Sequence, residues 1–184
     1  YPSVEMEFHP VANLVEFLFS PSSLSPELED KALQIAVQVA TELDLVGILA
    51  VEMFVTAEGE ILVNESAPRP HNSGHHTIEN SYSSQYEQHV RAILDLPLGS
   101  VKPRAAAVMV NLLGEPGETG YVEYQGIEDV LTKQGVYVHI YGKKQTRPFR
   151  KMGHITIIAP DLEAAREKAG YVKSTLKAVA CKTR

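Results

Sequence analysis

The chain holds 184 residues, 44% of them hydrophobic, with a net charge of −6. That length and apolar share suffice for a real core in one medium domain or two small ones, and the negative balance argues against a nucleic-acid surface. One cysteine, Cys181, excludes an internal disulfide and suits a reducing, cytoplasmic setting, and no apolar run reaches membrane-spanning length. No signal-peptide pattern opens the chain, and Tyr1 stands where an initiator methionine is usual, so a fragment of a longer protein is expected.

Val4, Met6 and Phe8 alternate with Glu5, Glu7 and His9, the period of two that marks a half-buried strand. Pro10 interrupts it, and residues 14–19 make a return strand. Ser25 stands as a helix N-cap, with Pro26 at the first helical position and Glu27 and Glu29 in the first turn. Leu28, Ala32, Ile35, Val39 and Leu43 keep helical spacing, so an amphipathic helix runs to about Asp44. Gly47 opens a strand over 48–55, residues 56–59 turn it, and residues 61–65 come back as a hairpin.

Further on, Ser84 and Glu87 have capping-box spacing, and Tyr86, Val90, Ile93 and Leu94 continue a helix. Leu96-Pro97-Leu98-Gly99 ends it and divides the chain into domains at 1–99 and 100–184. The second part predicts a strand over 105–113, a Gly/Glu turn region, a short helix around 127–131 and a strand over 136–141. A basic loop and a strand over 154–159 follow, and Asp161 caps a last helix expected to reach about Ala180. There is no internal repeat or low-complexity segment.

Between the hairpin and the Ser84 helix lies the most polar stretch, Asn64-Glu65-Ser66-Ala67-Pro68-Arg69-Pro70-His71-Asn72-Ser73-Gly74-His75. Its prolines and glycine keep it out of a helix, and its mix of functions suits gripping an anion and a metal. Glu52 sits in the first hairpin strand and Glu65 ends the second. A two-residue hairpin loop makes them diagonal neighbours on one face, and a four-residue loop opposes them directly. An odd loop without a bulge separates them onto opposite faces. Two carboxylates on one face repel unless a cation lies between them, and hard oxygen ligands suit Mg²⁺. The alternative is a pair of solvated residues on an exposed sheet face. His75 and His76 are neighbours pointing apart, so at most one lines a site, and no further ligands at zinc spacing accompany them.

Gly47-Ile48-Leu49-Ala50-Val51-Glu52-Met53-Phe54, together with the polar stretch, closely resembles the N5-carboxyaminoimidazole ribonucleotide synthetase family of the ATP-grasp superfamily. The likeness continues through Ser84-Gln85-Tyr86-Glu87-Gln88-His89, Ile93-Leu94-Asp95-Leu96-Pro97 and Arg150-Lys151-Met152-Gly153-His154. An Asn-Glu step is common among ATP-grasp enzymes; the extension Ala-Pro-Arg-Pro-His-Asn-Ser-Gly-His is far more specific. The resemblance implies an α+β fold. It would comprise the C-terminal half of an ATP-grasp domain, mainly antiparallel sheet with packed helices, plus a small α/β C-terminal domain. It also implies ATP- and bicarbonate-dependent carboxylation of 5-aminoimidazole ribonucleotide through carboxyphosphate, in purine biosynthesis.

By the same resemblance, Glu52 and Glu65 are the metal ligands, Asn64 and Glu65 lie beside the ATP phosphates, and His9 contacts ATP. On the residues alone, His9 reads equally well as a polar-face strand histidine. Arg69 and His71 are the implied catalytic groups, the first a planar fork for bicarbonate or a carboxyphosphate oxygen. Asn72 and Ser73 are implied to bind substrate, although Asn-Ser-Gly is also ordinary turn chemistry. The basic cluster Lys143, Lys144, Arg147, Arg150 and Lys151 matches the segment that binds the ribonucleotide 5′-phosphate, with Lys143 and Lys144 left as alternatives; taken alone it is a solvated charge run. The expected small-molecule partners are ATP, Mg²⁺, bicarbonate and the ribonucleotide, with no nucleic acid or membrane. A homodimer and a mutase, separate or fused, to receive the product are also expected. Two other readings compete: another ATP-grasp carboxylase or ligase, and a non-catalytic nucleotide-binding module.

Overall fold

The computed structural model describes residues 1–181. They form two compact units, one of residues 1–5 with 20–104 and the other of residues 6–19 with 105 onward. The residue 105 start lies a few positions beyond Gly99, and residues 6–19 join the second unit across a long stretch of sequence.

In the first unit, α1 (Pro26–Glu42) starts as its sequence dictates: the Ser25 hydroxyl accepts from the Leu28 amide at 3.4 Å. Strands β3 (Ala50–Val55) and β4 (Ile61–Ala67) form an antiparallel pair of their own. Phe54, Val55, Leu62 and Val63 on this hairpin are all exposed. After β4 come a single 3₁₀ turn (Asn72–Gly74), the short α2 (Thr77–Asn80) and α3 (Gln85–Ile93). The turn and α2 are too short to leave a periodic signature. Ser84 caps α3 from its side chain to the Glu87 amide at 3.2 Å, whereas the Glu87 carboxylate turns along the helix to Arg91 at 2.7 Å. The interior beneath the polar loop is itself polar, with Thr77, Asn80, Ser81, Ser83, Gln85 and Gln88 buried.

The second unit holds the apolar core. Its five-stranded sheet has the order β1-β2-β5-β9-β7, from β1 (Glu5–Phe8), β2 (Val15–Ser20), β5 (Ala106–Leu113), β9 (Lys151–Ala159) and β7 (Val136–Ile140). Val108 opposes Ile157 and Val110 opposes Ile155 across the central antiparallel pair. Helix α5 (Leu162–Thr175) lays Ala165, Ala169 and Val172, with Leu176 just beyond, against this face at a spacing of three to four, and all four are at most 3% exposed. The short α4 (Ile127–Leu131) adds Val130 to the same core.

Three expectations are corrected here. The last helix ends at Thr175, and residues up to Ala180 form β10 (Lys177–Ala180), which pairs with β6 (Gly120–Gln125). The region read as a Gly/Glu turn therefore contains a strand, whose alternating burial is carried chiefly by Val122 and Tyr124. Lys-Ala-Val-Ala is compatible with helix or strand, and the β6 edge decides. Gly126 allows the close approach that ends the helix, since a Cβ there would lie 2.3 Å from the Thr175 carbonyl oxygen. Strand β9 begins at Lys151, three residues before its expected start, and the two-residue β8 (Gln145–Thr146) sits within the basic loop and pairs with β6.

Candidate functional site

The hairpin loop decides whether the two glutamates meet. Val55 opposes Ile61, Phe54 opposes Leu62 and Met53 opposes Val63, so the loop has an odd number of residues. In a regular ladder that register would oppose Glu52 to Asn64 and send Glu65 to the other face. A bulge between Glu52 and Met53 makes Asn64 the extra residue and brings Glu65 directly across from Glu52. The bulge thus rescues the same-face arrangement that an odd loop by itself forbids.

His71 completes the cluster. One ligand atom each from Glu52, Glu65 and His71 lies within 4.8 Å of the other two. The imidazole Nε2 is 3.8 Å from Glu52 Oε1. Its Nδ1 accepts from the Ser73 amide at 3.4 Å and faces the Ser73 hydroxyl at 2.9 Å. An accepting Nδ1 assigns the ring proton to Nε2, which points it at Glu52. In that tautomer His71 is a hydrogen-bond donor beside the carboxylates rather than a metal ligand. The two glutamates alone are the hard donor set that suits Mg²⁺, which fills its remaining positions with water and phosphate oxygens.

The backbone of His71 is held by one side chain. Gln85 Oε1 accepts from the His71 amide at 2.8 Å, and Gln85 Nε2 donates to the His71 carbonyl at 2.8 Å. The same amide lies 2.9 Å from His75 Nδ1, and Gln85 is 3% exposed. Thr77 accepts from the Gln85 amide at 2.9 Å and donates its hydroxyl to the Gly74 carbonyl. Gly74 leaves room for the clamp, because a Cβ there would lie 2.4 Å from Gln85 Oε1. Gln85, Thr77 and Gly74 carry no chemistry of their own and were not singled out as site residues; a glutamine at the first position of the helix after a polar loop was the available signal.

The remaining loop residues separate by role. Arg69 is exposed, its guanidinium donating to the Pro70 carbonyl at 3.1 Å. Asn72 opens the 3₁₀ turn. His75 stacks on Tyr86 with centroids 5.9 Å apart, whereas His76 is 5% exposed with Nδ1 3.0 Å from the Ser73 carbonyl. Burial holds the His76 imidazole down to a pKa of about 4, so it is a neutral structural group.

His9 and the basic segment belong to the second unit. His9 Nδ1 accepts from the amides of Val11 and Ala12 at 3.2 and 3.1 Å, and its ring meets Phe149 edge-on at 5.5 Å. Its Nε2 lies 3.9 Å from Glu16, a buried carboxylate neutralised by Lys173 at 2.7 Å. In the basic segment, partial burial and then Arg150 and Arg147 hold the Lys143 ammonium below the ordinary lysine range. Lys143 donates to the Lys151 carbonyl, and Arg150 donates to the Gln145 carbonyl at 2.8 Å. Lys144 is exposed, its carbonyl pairing with the Val122 amide at 3.0 Å. Lys143 therefore shares a field with both arginines. Among the described residues no helix is long and apolar enough to cross a membrane.

Residues 1–86 match the ATP-grasp domain family, and residues 107–168 match the phosphoribosylaminoimidazole carboxylase C-terminal domain. The chain is 45% identical to the N5-carboxyaminoimidazole ribonucleotide synthase of Bacillus subtilis over 158 residues, which cover 86% of this chain and 40% of that protein. The N5-carboxyaminoimidazole ribonucleotide synthetase structure from Thermotoga maritima superposes with a TM-score of 0.89 at 49% identity, over 98% of this chain and 48% of that one. A structure from Aspergillus clavatus, in complex with ADP and 5-aminoimidazole ribonucleotide, superposes with a TM-score of 0.84 at 32% identity, over 95% and 46%. The chain thus spans less than half the length of these relatives.

Proposed function

Because the chain belongs to the N5-carboxyaminoimidazole ribonucleotide synthetase family of the ATP-grasp superfamily, we propose that it supplies the metal, bicarbonate and ribonucleotide-phosphate residues of such an enzyme. In the reaction a bicarbonate oxygen attacks the γ-phosphorus of ATP, ADP leaves, and carboxyphosphate forms. The amine of 5-aminoimidazole ribonucleotide then attacks the carboxyl carbon, expelling phosphate and losing a proton.

The observation that carries this reading is the bulge-enforced opposition of Glu52 and Glu65, with His71 Nε2 3.8 Å from the Glu52 carboxylate. Phosphoryl transfer depends on positioning and charge neutralisation more than on covalent help from the protein. Glu52 and Glu65 would hold Mg²⁺, which when bound neutralises phosphate oxygens. Asn64, projected by the bulge, offers an amide to the same phosphates. Arg69 is exposed and able to reorient its fork onto bicarbonate. His71, clamped by Gln85, donates from Nε2 to a carboxyphosphate oxygen and is oriented by Ser73; Asn72 lines the same turn. In the second unit Lys143, Arg147 and Arg150, flanked by Lys144 and Lys151, receive the ribonucleotide 5′-phosphate, and His9 contacts ATP.

The same reading places the complete enzyme in the cytoplasm as a homodimer, handing its labile product to a mutase. In the complete enzyme, ATP hydrolysis should rise on adding 5-aminoimidazole ribonucleotide with bicarbonate present. Absence of stimulation would favour an ATP-grasp ligase with another acceptor or a module without turnover.

A further inference from the structure

We propose that Tyr141 is a positioning residue for Lys143, held in turn by a stacked histidine pair, the buried His154 and the half-buried His139. The proposal rests on reading the basic segment as the phosphate grip. His139 and Tyr141 alternate along β7 and its continuation, so they project to one side of the sheet, and Gly142, with a φ of 70°, turns the backbone before Lys143. The Tyr141 amide still donates to the Met152 carbonyl at 2.9 Å, so the ladder fixes its backbone.

The side chains then form a short chain of contacts. His139 opposes His154 across β7 and β9, and their rings stack with centroids 4.3 Å apart and planes 11° apart. The strands close up here because residue 153 is glycine: a Cβ there would lie 2.3 Å from the His139 carbonyl oxygen. On its other side His154, 3% exposed, opposes Asn111, whose amide donates to the Val15 carbonyl at 2.8 Å. His154 is thus locked between two strands, and its Nδ1 lies 2.9 Å from the Tyr141 hydroxyl. The phenol is fixed at its far end, and the Lys143 ammonium sits 5.7 Å from the centroid of its ring.

A lysine stem is costly to order, and three neighbouring cations repel. The ring face and the Lys151 carbonyl together hold the Lys143 ammonium in place despite that repulsion. A phosphate would then meet a donor already in position, which lowers the cost of binding. If the histidine pair served packing alone, loss of the Tyr141 hydroxyl would lower stability and leave ribonucleotide affinity untouched.

The test is steady-state kinetics on the full-length synthetase. Tyr141→Phe should raise the KM for 5-aminoimidazole ribonucleotide about fivefold, the size of one hydrogen bond, with kcat and the KM for ATP within about twofold. His154→Gln, which removes the fixed imidazole without emptying the site, should reproduce that rise. Lys143→Ala should raise the same KM further, and Tyr141→Phe should add nothing in that background. An unchanged KM in Tyr141→Phe, or a full additional rise on top of Lys143→Ala, would overturn the proposal while the phosphate reading stood. An unchanged KM in Lys143→Ala would remove Lys143 from the phosphate grip and the proposal with it.

Discussion

Glu52 lies directly across the hairpin from Glu65, and it does so because Asn64 is an extra residue in β4. The bulge turns an odd loop, which by itself separates the two carboxylates, into one that opposes them. It also leaves Asn64 outside the ladder, an exposed residue adjacent in sequence to Glu65. Converting Glu65 to glutamine keeps the shape and removes one charge. Mg²⁺-dependent ATP turnover in the full-length enzyme should fall at least ~100-fold, with far-UV circular dichroism unchanged; near-normal turnover would exclude Glu65 as a metal ligand.

The Gln85 clamp makes Gly74 indispensable. In Gly74→Ala the new methyl meets a buried amide already committed to the His71 amide and carbonyl. The structure should lose about 2 kcal/mol or more, read by urea denaturation, and turnover should drop in step because His71 shifts. Gln85→Glu accepts from the His71 amide but has no proton for its carbonyl, so it should be destabilising above the carboxylate pKa. Full stability in both variants would mean that His71 is held by something else.

His76 is neutral in the fold, with a pKa of about 4 against an ordinary 6.5. Between those values the unfolded chain binds a proton that the folded chain excludes. Stability therefore falls as pH drops from about 6.5 towards 4 and gains no further loss from this group below that. The full effect is roughly 3 kcal/mol. Urea midpoints at pH 7 and pH 4.5 should differ for the wild type, and the difference should shrink in His76→Gln; an equal shift in both would assign the acid sensitivity to other groups.

The two lysines of the basic loop should behave differently. Lys143 shares its surroundings with Arg147 and Arg150, whereas Lys144 is exposed. Lys143→Ala should raise the ribonucleotide KM by about 10-fold or more, with Lys144→Ala close to wild type. The reverse ranking in substrate-dependent kinetics would exchange their roles.

Most of the local structure was legible. The Ser25, Ser84 and Asp161 caps hold as their spacing implied, with side-chain oxygens accepting from Leu28, Glu87 and Ala164 amides. The helical stripe of α1 marks an element where propensity, capping and apolar period agree, whereas β1 and β2 form where strands were expected but without sustained alternating burial. The motif running from Asn64 to His75 pointed to the family through its particular run of residues, Ala-Pro-Arg-Pro-His-Asn-Ser-Gly-His after the Asn-Glu step.

What the residues determine by themselves is local: which segments are helices or strands, where they begin, and which chemical groups the polar loop contains. What only tertiary structure decided depends on partners far away in the chain. The partner strand β3 sets the bulge at Asn64, Gln85 fourteen residues on sets the backbone of His71, and β6 converts the residues after Thr175 from helix into strand. Residues 6–19 likewise find their sheet almost a hundred residues later, as the Asn111 bond to Val15 records. Each of these is a choice among local conformations of similar energy, and a hydrogen bond or ladder edge supplied from a distance makes the difference.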